Sequence, residues 1–110
     1  MNSEKMNELE SRLWFIIEIL AHDRNSIKHR LLNEELVSEL YILDNILKNE
    51  KLNEGIKDKW EEIYSFLTKY KQKAKLGLFE SSLIRINSIT AEKIARLITE
   101  LYQEVLELRG

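Results

Sequence analysis

Cysteine and proline are absent from the sequence, and glycine occurs only at positions 55, 77 and 110. Without cysteine there is no disulfide framework, no thiolate metal site and no thiol nucleophile, and a cytoplasmic location is the expectation. An all-β chain needs many turns and therefore many turn formers, so the scarcity of glycine and proline argues for long helices joined by a few connections. Charge of one sign is also missing. Seventeen Lys and Arg stand against nineteen Asp and Glu, a net of −2 that gives no general electrostatic reason to expect nucleic acid or an anionic membrane, although a local basic patch stays open. Finally, no apolar run is long. The nine residues Leu13–Ala21 are interrupted by Glu18, far short of the roughly 20 that a membrane helix needs, and the polar, acidic segment Met1–Glu8 is not a signal peptide. No membrane insertion is expected.

What remains is a chain with 44% apolar and 33% charged residues, neither disordered in character nor unusually greasy. Its 110 residues suit a single domain, residues 1–110, with a core of its own. Within Leu13–Ala21, Leu13, Ile16, Ile17 and Leu20 align with Met6 and Leu9 as a core-facing stripe. Phe15 and Ile19 point roughly the other way, so this helix is either covered on two sides or keeps a face for another chain.

The first helix starts at Asn2 or Ser3, with Glu4 suited to the positive end of its dipole, and runs to Ala21 or Arg24. The polar run His22–Ser26 breaks it, because Asp23, Asn25 and Ser26 compete for backbone hydrogen bonds. A second helix spans Ile27–Lys48 with Leu32, Leu36, Leu40, Leu43 and Leu47 as its core stripe, leaving Ile27, Leu31 and Ile42 off that line. Asn53 caps a third helix, in which Ile56, Trp60, Ile63, Leu67, Tyr70 and Ala74 recur at steps of four and three. That helix ends at Leu76-Gly77, with glycine in the left-handed position and Leu78 closing a Schellman contact. Residues 79–88 read as a short helix or turn. Thr90 then caps the last helix, whose stripe is Ile94, Leu97, Ile98, Leu101, Tyr102, Val105 and Leu108. The fold class is all-α, an antiparallel four-helix bundle with a possible short fifth helix before the last. The spare apolar residues of the first two helices, Trp14, Phe15, Ile19, Ile27 and Leu31, are the candidate interface, for a second copy of the chain or for a protein partner.

One polar cluster, Glu18, His22, Asp23, Arg24, Asn25 and His29, contains both histidines of the chain. Arg24-Asn25-Ser26-Ile27-Lys28-His29 resembles the Arg-polar-x(3–5)-His motif of the HEPN superfamily of small helical domains. The resemblance implies a metal-independent RNase or toxin in which Arg24, Asn25 and His29 act on the RNA 2′-hydroxyl and phosphate, usually doubled across a dimer. Residues five apart on one helix lie about 140° apart around its axis, so Arg24 and His29 converge only if the helix begins near Asn25. His22-Asp23 followed by Ser26 is loosely similar to the phosphoacceptor box of histidine-kinase dimerisation domains. As metal ligands, His22, His29 and Glu18 share a face only of an unbroken helix, and no Glu has His three residues later, so no metal and no cofactor is expected.

Lys69, Lys71, Lys73 and Lys75 surround Tyr70, but on a helix they divide between nearly opposite sides and are explained by the helix's negative end. Nucleic acid enters only with the RNase reading. The segment Ile86-Asn87-Ser88-Ile89-Thr90-Ala91-Glu92 is similar to the entry of the last helix in some class II bacteriocin immunity proteins, four-helix cytosolic bundles of about this length. Taken together, the residues lead to a small protein-binding bundle, an adaptor, inhibitor or immunity-type protein acting through apolar helix faces, with HEPN-like RNase and immunity-like protein as alternatives.

Overall fold

The computed structural model describes residues 2–109. It contains six helices: α1 (Ser3–His22), α2 (Ile27–Leu31), α3 (Glu34–Lys48), α4 (Glu54–Leu67), α5 (Leu78–Leu83) and α6 (Ser88–Arg109). No strand occurs among the described residues, as the shortage of turn formers foretold.

Asparagine starts most of these helices. The Asn2 side chain accepts from the Lys5 amide, Asn33 from Glu35 and Leu36, Asn53 from Gly55, and Asn87 from Thr90. Each thereby satisfies amides that have no partner within the helix. The cap of α6 is therefore Asn87, not Thr90. The break after α1 lies where expected, with Asp23 ending α1 and Ser26 opening α2.

Asn33 also accounts for a correction. The expected second helix, Ile27–Lys48, is two helices, because the Asn33 carboxamide restarts the backbone after Leu32. The interruption changes which residues face inward: Leu31 is fully buried and Leu32 only half-buried, whereas Leu36, Leu40, Leu43 and Leu47 lie in the core as the spacing requires.

The third expected helix also differs. α4 stops at Leu67, where Thr68 Oγ1 donates to the Tyr64 carbonyl, and residues 68–77 form an irregular connection. The left-handed residue is Lys75 (φ 73°), not Gly77, which has φ −69° and opens α5. Gly77 is there for space, since a Cβ would meet the Glu80 carboxylate and the Tyr41 hydroxyl.

Buried residues from all six helices make one contiguous cluster. Helix α6 lies against α1, α2 and α4, and α1 also packs on α3. Chain directions follow from paired contacts. Glu10 meets Arg109 while Trp14 meets Tyr102, so α1 and α6 are antiparallel. Lys59 pairs with Glu100 at 2.9 Å while Gly55 abuts Glu104, so α4 and α6 are antiparallel as well. Hydrogen bonding to Lys59 holds the Glu100 carboxyl below its usual range, and the same bond raises Lys59. Arg12 reaches Glu39 at 2.9 Å across α1 and α3.

Two short helices close the end of the bundle where α1 finishes. Arg30 of α2 donates to the Leu20 carbonyl at 2.6 Å, and Lys28 to the Ile84 carbonyl at 2.7 Å. These cations satisfy oxygens at the C-terminal ends of α1 and α5, where the helix dipole favours positive charge.

Candidate functional site

Helix α1 buries Leu9, Leu13, Ile16 and Leu20 and turns Asn7, Ser11, Trp14, Phe15, Ala21 and His22 outward. The 3.6-residue repeat places Trp14 and Phe15 on opposite flanks of this outer strip. Trp14 is 50% exposed and Phe15 41%, the most exposed aromatic side chains among the described residues. Between Asn7 and His22 the strip carries one carboxylate, Glu18, which lies 3.3 Å from His22.

On one flank, the Trp14 ring meets Tyr102 of α6 with centroids 5.9 Å apart and planes tilted by 34°. Together with Asn7, Glu10, Ser11 and Arg109 these rings line a depression of about 410 Å³. Leu106, one turn beyond Tyr102, is also exposed, and Arg109 closes the far end through its ion pair with Glu10. On the other flank, Phe15 sits beside Glu34, Glu35, Ser38 and Glu39 of α3 in a shallower hollow of about 380 Å³. The surface therefore carries one aromatic group on each flank and is acidic toward α3.

The remaining interface candidates are placed differently. Ile19 and Ile27 are half-buried and pack on the core, and Leu31 is fully buried inside it. The break at Leu32-Asn33 is the cause, because it rotates Leu31 inward relative to one continuous helix. Tyr102 and Leu106 enter the surface in their stead. Tyr102 reads as core by its spacing, and only the location of Trp14 reveals that its edge is open.

At the α1–α2 junction, Asp23 Oδ1 accepts from the Asn25 amide and from its side-chain nitrogen at 2.9 and 2.8 Å. Ser26 Oγ lies 2.8 Å from His29 Nδ1. Arg24 is exposed and lies outside α2, which begins at Ile27 with Ser26 as its cap. Thus Asn25 and His29 are engaged locally, in an Asx turn and a helix cap. No three His, Cys, Asp or Glu side chains group as metal ligands among the described residues.

A larger concavity, about 900 Å³, separates the C-terminal half of α3 from α4. Leu47, Leu52, Trp60 and Tyr64 form its apolar part, with Asp44, Glu50, Glu54 and Glu61 interspersed with Lys48, Lys51 and Lys57. Tyr64 continues an aromatic series, 6.4 Å from Trp60 and 6.0 Å from Phe79, which in turn stacks on Tyr41 at 4.4 Å. The signal in the sequence is Tyr64 one turn after Trp60, off the core line of α4.

Comparison with protein-family models, with curated proteins and with solved structures finds no match to this chain. No helix is long and apolar enough to cross a membrane among the described residues.

Proposed function

We propose that the protein is a non-catalytic binding module, an adaptor or inhibitor, that engages a protein partner or a second copy of itself through the outer face of α1. The observation that carries this reading is the adjacent exposure of Trp14 and Phe15, one turn from Glu10 and Glu18, while every other large apolar residue of that helix is buried or half-buried. Aromatic side chains bring large contact area at low rotamer cost and dominate association energies. The carboxylates Glu34 and Glu35 beside Phe15 favour a partner that places Lys or Arg at the edge of its own apolar patch.

A photoreactive residue at position 15, introduced in the native host, should give a discrete cross-linked adduct, whereas one at exposed Glu61 should not. If the partner is a second copy, sedimentation velocity should show a dimer. Trp14→Ser with Phe15→Glu should abolish either association while leaving helical circular dichroism unchanged, since neither side chain is part of the buried core. A monomer at high concentration that also gives no adduct would exclude this face as a binding surface.

A further inference from the structure

The overall charge of −2 conceals a segregation of charge. Residues 69–93 hold six cations, Lys69, Lys71, Lys73, Lys75, Arg85 and Lys93, against Glu80 and Glu92, while the rest of the chain is net negative by six. None of these six cations forms an ion pair among the described residues. Glu80 accepts a hydrogen bond from Tyr41 of α3, so one of the two carboxylates is already engaged.

Contacts bring three of the cations to one end of the bundle, and Lys71, Lys73 and Lys75 are exposed on the connection that continues from Tyr70. Lys93 lies over the Phe66 ring at 5.2 Å, and Lys69 and Arg85 lie near the Tyr70 ring at 5.6 and 5.5 Å. Two aliphatic residues near these cations in the chain are exposed. Ile84, beside Arg85, is 37% exposed, and Ile89, one turn before Lys93 on α6, is 76% exposed. Ile89 adds nothing to the core, and a β-branched residue is a poor choice for the first turn of a helix.

From this arrangement we infer that the end of the molecule formed by the α4–α5 connection and the start of α6 is an adsorption surface for anionic lipid bilayers. The cations meet the negative headgroup layer, and Ile84 and Ile89 enter the boundary between headgroups and acyl chains. Single-stranded nucleic acid fits the same cations less well. It is held by stacking bases on free aromatic faces, and here Phe66 and Tyr70 are both engaged by cations of the chain itself. Exposed isoleucines offer a phosphate backbone nothing, whereas an acyl boundary rewards them.

The test is sedimentation of the full chain with vesicles at low ionic strength. Vesicles of phosphatidylcholine containing about one-third phosphatidylglycerol should carry the protein down, pure phosphatidylcholine should not, and moderate salt should release it. Each Lys or Arg near an anionic surface is worth roughly fivefold in affinity, so Lys71→Glu with Lys73→Glu should weaken binding at least about thirtyfold. Ile89→Ser, which leaves every charge in place, should weaken it about threefold or more. All three positions are exposed, and unchanged circular dichroism should accompany the losses. The inference is overturned if anionic vesicles do not sediment the protein or if Ile89→Ser has no effect on their binding. Tighter binding to a single-stranded oligonucleotide than to the vesicles would overturn it as well, and would assign the surface to nucleic acid.

Discussion

Two connections in this molecule are held by opposite means. Between α1 and α2, residues 23–26 are fixed by their own side chains: Asp23 accepts from Asn25, and Ser26 caps the helix that follows it. Between α4 and α5, residues 68–77 are fixed from a distance. The hydroxyl of Ser82 accepts from the Tyr70 amide at 2.9 Å, and that of Ser81 accepts from the Lys73 amide at 3.0 Å while donating to the Gly77 carbonyl at 2.8 Å. Tyr41 completes the anchoring, donating to Glu80 and accepting from the Phe79 amide at 3.0 Å. Ser81 and Ser82 are the only polar residues fully buried among the described residues, and their partners are backbone groups of the loop at Tyr70, Lys73 and Gly77. The first connection is a local structure; the second depends on the core.

The largest expected effect comes from removing that dependence. Ser81→Val with Ser82→Val takes the hydroxyl partners from the Tyr70 and Lys73 amides, a loss of about 1–3 kcal/mol in stability. Urea denaturation should register it. Trypsin adds a second reading, because Lys69, Lys71, Lys73 and Lys75 all lie on the released segment, and cleavage there should accelerate before the rest of the chain is cut. Unchanged cleavage in a destabilised variant would show that the serines serve packing and not the loop.

The same contrast explains what could be read from the sequence. The α1–α2 break was legible because its causes, Asp23, Asn25 and Ser26, sit within it. The core stripes of α1 and α6 were legible because a repeat of 3.6 residues is a local property, although the stripe of α6 ends at Val105 and leaves Leu108 exposed. The end of α4 was not legible: Tyr70 and Ala74 continue its apolar spacing, and what competes with helix there is a pair of serines eight to twelve residues later. The split at Asn33 carried a signal, an asparagine followed by Glu34 and Glu35, but an unbroken leucine repeat outweighed it. Of the candidate surface, Trp14 and Phe15 were legible as surplus, while the part played by Tyr102 and Leu106 depends on which helix lies beside α1. The basic end is hidden from the sequence because the apolar spacing extends a helix through Lys69, Lys71, Lys73 and Lys75 and divides them between two sides, whereas α4 ends at Leu67.

Tyr41 tests the comparison at intermediate size. Tyr41→Phe keeps the stacking on Phe79 but leaves the Phe79 amide and Glu80 without the hydroxyl, at a cost of about 1–2 kcal/mol. Burial, reinforced by the hydrogen bond to Glu80, raises the Tyr41 phenol above its ordinary value. The folded state therefore holds the proton more tightly than the unfolded state does. Its contribution is complete below the ordinary tyrosine range and is lost as pH rises through the raised value. Denaturation profiles should accordingly show an alkaline loss of stability in the wild type that Tyr41→Phe reduces.

Ser26→Ala should have the smallest effect, about 1 kcal/mol or less, although it removes the cap of a whole helix. Helix α2 has only five residues and is held by contacts that do not involve its cap: Leu31 in the core, Arg30 on the Leu20 carbonyl and Lys28 on the Ile84 carbonyl. The freed amide of His29 is exposed and can turn to water, so no buried group is stranded. Equilibrium urea unfolding should place this variant above Tyr41→Phe in stability, and tryptic cleavage within residues 68–77 should match the wild type. The reverse order would mean that the junction is coupled to the core through α2, and that the distinction between a locally held and a remotely held connection fails there.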